Sequence, residues 1–206
     1  MHPSRIARRP QARAEATKTK ILDAAQSLFA ELGFENTQLD EVAARAGCSR
    51  GGIYAHYVSK EDLFLALMEH RAAAAFRAVC DKIEEEPDPG ERRNVLKRWF
   101  IEQVCAPESG TLTLEFKLYA VRRPEIRDKL LDLFNSLFTG TRGDLLELLF
   151  GEGLTKAARI ALEQRLAVLG GALTALILER HFRPELLAPT HLQQFAEEIF
   201  DALLHT

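Results

Sequence analysis

A chain of 206 residues, 47% of them hydrophobic, holds enough apolar surface for a sizeable core, which excludes a disordered chain. No uninterrupted apolar run reaches the roughly 18 residues of a membrane span, and the basic N-terminus lacks the apolar stretch of a secretory signal, so a soluble, cytoplasmic chain without a membrane partner is expected. The net charge of −3 hides a gradient: residues 1–60 hold nine Lys/Arg against six Asp/Glu, and the remainder is acidic.

Almost every segment reads as helix, with Gly and Pro falling between helical stretches and no internal repeat. Residues 1–14 read as a disordered basic arm carrying Arg5, Arg8, Arg9 and Arg13. Such an arm suits either contact with a polyanion or plain solvation. A first helix follows over about 15–32, with Ile21, Ala25, Leu28, Phe29 and Leu32 on one face and Gly33 as its stop. The second helix starts after Thr37, whose hydroxyl is expected to cap it with Asp40 three residues on. Gly47 ends it. Ser49 caps a third helix that runs to about Tyr57, and Ser59 opens a long fourth helix toward Ile83, with Glu61 and Asp62 complementing its dipole. Glu84 to Gly90 reads as a linker. Further helices are expected at about 91–106, 110–122, 124–149, 155–182 and 190–204, with Gly140 and Gly143 placed to break or bend the third of these.

Residues 39–57 therefore form two short helices joined by Gly47-Cys48-Ser49, the spacing of a helix-turn-helix. That spacing alone occurs in many bundles. Arg50-Gly51-Gly52 makes it more informative, because two glycines in a first helical turn cost about 1 kcal/mol each against alanine. Glycine there permits close approach of another surface, and phosphates favour helix N-termini. Arg50 can grip a guanine edge or a phosphate. Tyr54 and His56 can donate to phosphate, while Tyr57, four residues from Ile53, reads as core. Lys60 is either a phosphate contact at the next helix start or an ordinary solvated lysine.

The stretch 18–68 resembles the DNA-binding domain of TetR-family regulators. Its most telling part is Gly47-Cys48-Ser49-Arg50-Gly51-Gly52-Ile53-Tyr54, followed by Lys60-Glu61-Asp62-Leu63, and Leu28-Phe29 with Gly33-Phe34 matches the end of that family's first helix. Cys48 stands where Val is usual, Tyr57 where Phe is usual, and Gln38 where Thr is usual. The resemblance implies an all-α protein: an N-terminal three-helix helix-turn-helix domain over 15–60, and a C-terminal helical ligand-binding and dimerisation domain over 61–206. It also implies a homodimer that holds a double-stranded DNA operator and is released by a small-molecule inducer moving the fourth helix. The DNA-binding set is then Thr37, Gln38, Ser49, Arg50, Gly51, Gly52, Tyr54, His56 and Lys60.

The C-terminal body offers two apolar stripes, Leu166, Leu169, Gly170, Leu173 and Ile177 on one helix and Leu192, Phe195, Ile199 and Leu203 on the next. They suit a dimer interface or an internal core. Trp99, Phe100, Phe116, Tyr119, Phe134 and Phe138 suit the lining of a largely apolar inducer pocket, or plain core. Cys48, Cys80 and Cys105 have neither metal-ligand nor redox spacing, so no metal and no cofactor are expected. No nucleotide-binding, nucleophile-elbow or metal-helix motif speaks for an enzyme. Alternatives are a helical regulator or interaction module without a small-molecule inducer, and a winged helix, which would need strands after the third helix.

Overall fold

The computed structural model describes residues 8–106, 111–139 and 145–204. Among them there are ten helices and no strand: α1 (Arg8–Asn36), α2 (Leu39–Ala46), α3 (Arg50–Tyr54), α4 (Lys60–Glu85), α5 (Pro89–Cys105), α6 (Thr111–Val121), α7 (Pro124–Thr139), α8 (Leu145–Phe150), α9 (Lys156–Phe182) and α10 (Pro189–Leu204). They fall into two compact units that divide between Arg71 and Ala72. That boundary lies inside α4, whereas the sequence places the division at its first turn.

In the first unit, α1 packs on α2 and α2 on α3. Helix α1 starts at Arg8 instead of 15, so Arg8, Arg9 and Arg13 lie on helix rather than on a loose arm; Arg5 lies outside the described residues. Gly33 (φ 79°) breaks the helical path near its end, a conformation that suits glycine. Phe34 then turns inward, and Phe29, Phe34 and Phe64 form a buried aromatic cluster with ring centroids 4.8–5.7 Å apart.

One cap assignment changes. Thr37 is fully buried, and its hydroxyl donates to the carbonyls of Gly33 (2.8 Å) and Leu28 (3.4 Å). It closes the backbone opened by the Gly33 kink and does not cap α2. Gln38 is the N-cap instead, and its backbone N–H donates to Glu41 Oε2 at 3.1 Å. The predicted caps at Ser49 and Ser59 are present: their hydroxyls accept from the N–H groups of Gly52 and Asp62, both at 3.1 Å. The Asp62 carboxylate accepts in return from the N–H of Val58, the residue before the cap, which fixes the entry to α4. Helix α3 ends at Tyr54, earlier than the spacing predicts, and a turn closed by Ile53 carbonyl bonds carries the chain to Tyr57.

Tyr57 is 3% exposed, as its spacing predicts, yet its hydroxyl oxygen is buried without a hydrogen-bond partner. Burial first, then the charges of Asp62 and Glu15, push its pKa from 10.0 up to about 12. The folded chain thus holds a proton that the unfolded chain gives up from pH 10. Tyr57's contribution to stability is intact below pH 10 and is lost as pH rises through 12. Tyr57→Phe removes the orphaned hydroxyl and is expected to raise stability by about 1 kcal/mol at neutral pH. The advantage should widen at pH 11, because phenylalanine has no proton to lose. Urea midpoints of both proteins at pH 7 and pH 11 check this, and equal midpoints at both would contradict it.

In the second unit, α5 lies against α8, α9 and α10, and α6 against α7 and α9. The predicted 124–149 helix is two helices, α7 and α8. The core gathers Val79, Ile83, Val95, Leu96, Phe100, Val104, Leu145, Leu149, Leu169, Leu192, Ala196, Phe200 and Leu204 among others. Polar clamps hold its rim: Lys97 pairs with Asp201 at 2.7 Å, and Arg180 donates to the Val104 carbonyl at 2.8 Å.

The sequence-derived interface stripes point largely into this core. Leu169, Ile177 and Leu192 are buried, and Leu166, Leu173, Ile199 and Leu203 are partly buried against it. An inward face and a partner face carry the same periodicity, so spacing does not separate them. Gly170 and Phe195 are exposed. The opposite face of α9 is apolar and open: Ile160, Ala167, Val168, Gly171, Ala175, Leu178 and Phe182 recur at helical spacing and all are exposed. This face makes α9 long and apolar enough to cross a membrane by length and composition, contrary to the expectation from uninterrupted runs. A 27-residue helix with only sparse charges passes that test without being one apolar run.

Candidate nucleic-acid interface

The outer surface of the first unit carries most of the predicted site. Gln38, Ser49, Arg50, Gly51, Tyr54 and His56 are exposed, and Gly52 is half-buried. They lie at the N-terminal ends of α2 and α3, at the last residue of α3 and in the turn after it. Thr37 does not belong to this surface, because it is buried and its hydroxyl faces inward. Lys60 is a structural tie between helices. Its ammonium donates to the Glu35 carbonyl at 2.8 Å and lies 4.7 Å from the Phe34 ring centroid, which fastens the start of α4 to the end of α1.

The two glycines of α3 differ. A Cβ on Gly52 would lie 3.3 Å from the Ser49 hydroxyl, so the cap itself keeps this position small. A Cβ on Gly51 would meet nothing within 4 Å. The chain's own packing therefore does not explain Gly51, which faces open space on the first turn of α3.

Arg50 is held from two sides. Its Nη1 lies 3.4 Å from Asp40 Oδ2 on α2, and its guanidinium sits 5.6 Å from the Tyr54 ring centroid. Spacing assigns Asp40 to a cap and gives no sign of this pairing. A second bridge, Arg45 to Glu31, pins the end of α2 to α1, and the Arg45 hydrogen bond holds the Glu31 carboxyl below its ordinary range. Neither bridge follows from spacing along one helix, since each joins two helices.

The described members of the predicted pocket set have different surroundings. Phe100 and Phe116 are buried core, Phe100 packing on Phe200 at 6.0 Å. Tyr119 is buried beneath Arg123, whose guanidinium lies 3.7 Å from the ring centroid. The side chains of Phe134 and Phe138 lie outside the described residues. Trp99 lines a cleft of about 290 Å³, together with Lys82, Glu85, Glu86, Val95, Arg98 and Glu102. That lining is charged rather than largely apolar. Phe100, Phe116 and Tyr119 serve the core, as large aromatic residues usually do. Among the described residues no cluster of His, Cys, Asp and Glu has the arrangement of a metal site.

Residues 21–67 match the model of the family described as bacterial regulatory proteins, tetR family. Over 64 residues the chain is 42% identical to the HTH-type transcriptional regulator AcrR of Shigella flexneri, covering 31% of this chain and 30% of that protein. It is 37% identical over 76 residues to UidR of Escherichia coli K12, covering 35% of this chain and 39% of the relative. The chain thus aligns with about a third of the length of the curated relatives it matches. Solved structures extend the likeness in fold. The fatty acid degradation regulator FadR from Bacillus halodurans superposes with a TM-score of 0.66 at 20% identity, covering 92% of this chain and 97% of that one. A putative regulator from Saccharomonospora viridis in complex with choline gives 0.63 at 22% identity, covering 89% and 95%. The α1 to α3 unit, with its Gly47 turn, Ser49 cap and Gly51-Gly52 start, is thus similar over residues 21–67 to the tetR family of bacterial regulatory proteins.

Proposed function

We propose that the chain is a DNA-binding transcriptional regulator, a homodimeric repressor whose α3 enters the major groove of an operator. The observation that carries this is Gly51. It weakens a five-residue helix, nothing in the fold requires it, and it stands beside an exposed arginine. Close approach of an outside surface accounts for the missing side chain. Arg50 then reads a base edge, and Tyr54, His56, Gln38 and the N–H groups at the start of α3 meet phosphates. Arg8, Arg9 and Arg13 at the start of α1, with Arg5 before them, add sequence-independent attraction.

The test is a pair of variants assayed on a duplex selected from a random pool. Gly51→Ala should raise thermal stability by up to about 1 kcal/mol while weakening duplex binding. Arg50→Ala should leave stability alone and lower specific affinity by about 1–3 kcal/mol. Unchanged binding by both variants would remove α3 from the reading surface.

The second copy covers the open face of α9 in this reading, with Phe195 of α10 as a further exposed anchor. A small molecule acts on the second unit. The charged cleft around Trp99 favours an effector with polar or charged groups over a purely apolar one. Such an effector releases DNA only if it binds the released state more tightly, by about 5.5 kcal/mol for a full swing. Helix α4 belongs to both units and is the natural element to carry the change.

A further inference from the structure

We propose that Asp40 is a positioning residue that sets how selectively Arg50 reads DNA. The inference rests on the DNA-reading role of α3. A guanidinium at the tip of an exposed helix turn will pair with any phosphate, and such pairing carries no sequence information. In this chain Arg50 is already engaged at one edge. Asp40 Oδ2, on the neighbouring helix, lies 3.4 Å from Nη1, and the Tyr54 ring lies 5.6 Å from the guanidinium carbon. One edge faces a carboxylate and the group rests against a ring, which leaves the other N–H groups of the planar fork to present a paired donor to a guanine edge.

The carboxylate also acts as an internal stand-in for phosphate. It is exposed, like its partner, and exposed ion pairs add little to stability. Its effect therefore falls on orientation and on competition. A phosphate must displace Asp40 and sit close to its charge, whereas a guanine edge takes the open side of the fork with Asp40 still in place. Sequence-independent binding is weakened and base readout is kept. Glu41, the other acidic residue in the first turn of α2, is already occupied by the Gln38 N–H.

The experiment measures duplex affinity of the full chain against the selected operator, operators substituted one base pair at a time, and an unrelated duplex, over a salt series. Asp40→Asn keeps the size of the side chain and one acceptor oxygen and removes its charge. It should raise affinity for the unrelated duplex several-fold and steepen the salt dependence by about one phosphate contact. It should also cut discrimination at a single base pair by about tenfold, within the range of one bidentate contact. In an Arg50→Ala background the discrimination effect should vanish, and Asp40→Glu should restore part of it. A uniform gain in affinity at every duplex, with discrimination unchanged, would make Asp40 a plain surface charge and overturn the proposal. If the unsubstituted chain selects no sequence at all, the reading role of α3 fails, and the positioning role fails with it.

Discussion

Phe64→Ala is expected to lower the stability of the first unit by about 3–5 kcal/mol, the usual cost of removing a fully buried phenylalanine. The ring is wholly buried between Phe29 and Phe34 at 4.8 and 4.9 Å, with edge-to-face geometry on both sides. Two aromatic contacts add to the lost burial, since each such pair contributes about 0.5–1.5 kcal/mol beyond area. The cavity left behind cannot collapse easily. Phe34 is fixed by the Gly33 kink on one side and by the Lys60 ammonium on the other. Phe64 also belongs to α4 while its two partners belong to α1, so its loss loosens the platform on which α2 and α3 sit. Chemical denaturation of the purified variant reads the stability change, and duplex binding should fall alongside it. A loss below 1 kcal/mol would mean that the aromatic cluster does not hold the unit together.

The second large effect is expected from Val168→Asp. Val168 is 58% exposed at the middle of the open α9 face, with Phe182 at 74% toward its end. In a lone chain, aspartate there costs only its modest helix propensity. Under a second copy the same carboxylate would be buried without a partner, which costs several kcal/mol. The variant should therefore run as a folded monomer by light scattering at micromolar concentration, where the unsubstituted chain should run as a dimer. Duplex affinity should fall by about 10²–10⁴, because paired half-sites are bound together. A dimer that survives the substitution would place the contact elsewhere.

The reading unit is legible in the sequence with much of its detail, and the second unit hardly at all. Gly47, Ser49 and Ser59 act through bonds to residues three or four places away, and such local chemistry is written in the order of the chain. Thr37 escapes that reading because its hydroxyl answers a kink at Gly33, which spacing cannot reveal. Asp40 escapes it because its partner lies on another helix. In the second unit, Leu169 and Val168 are chain neighbours with opposite fates, one in the core and one open. A helix with apolar residues around most of its circumference gives periodicity no contrast to report. The aromatic residues behave likewise: Phe100 and Trp99 adjoin, yet Phe100 is buried core and Trp99 lines the charged cleft.

Gly51 has a practical consequence for anyone engineering the protein. A stability screen run without DNA would favour alanine there, since the space is empty and the helix gains. It would select a tougher protein that grips its target less well. Robustness and grip pull against each other at this one position. They do not at Tyr57, where removing a buried, unbonded hydroxyl leaves the outer surface untouched. Hardening this protein without blunting it should begin under that surface.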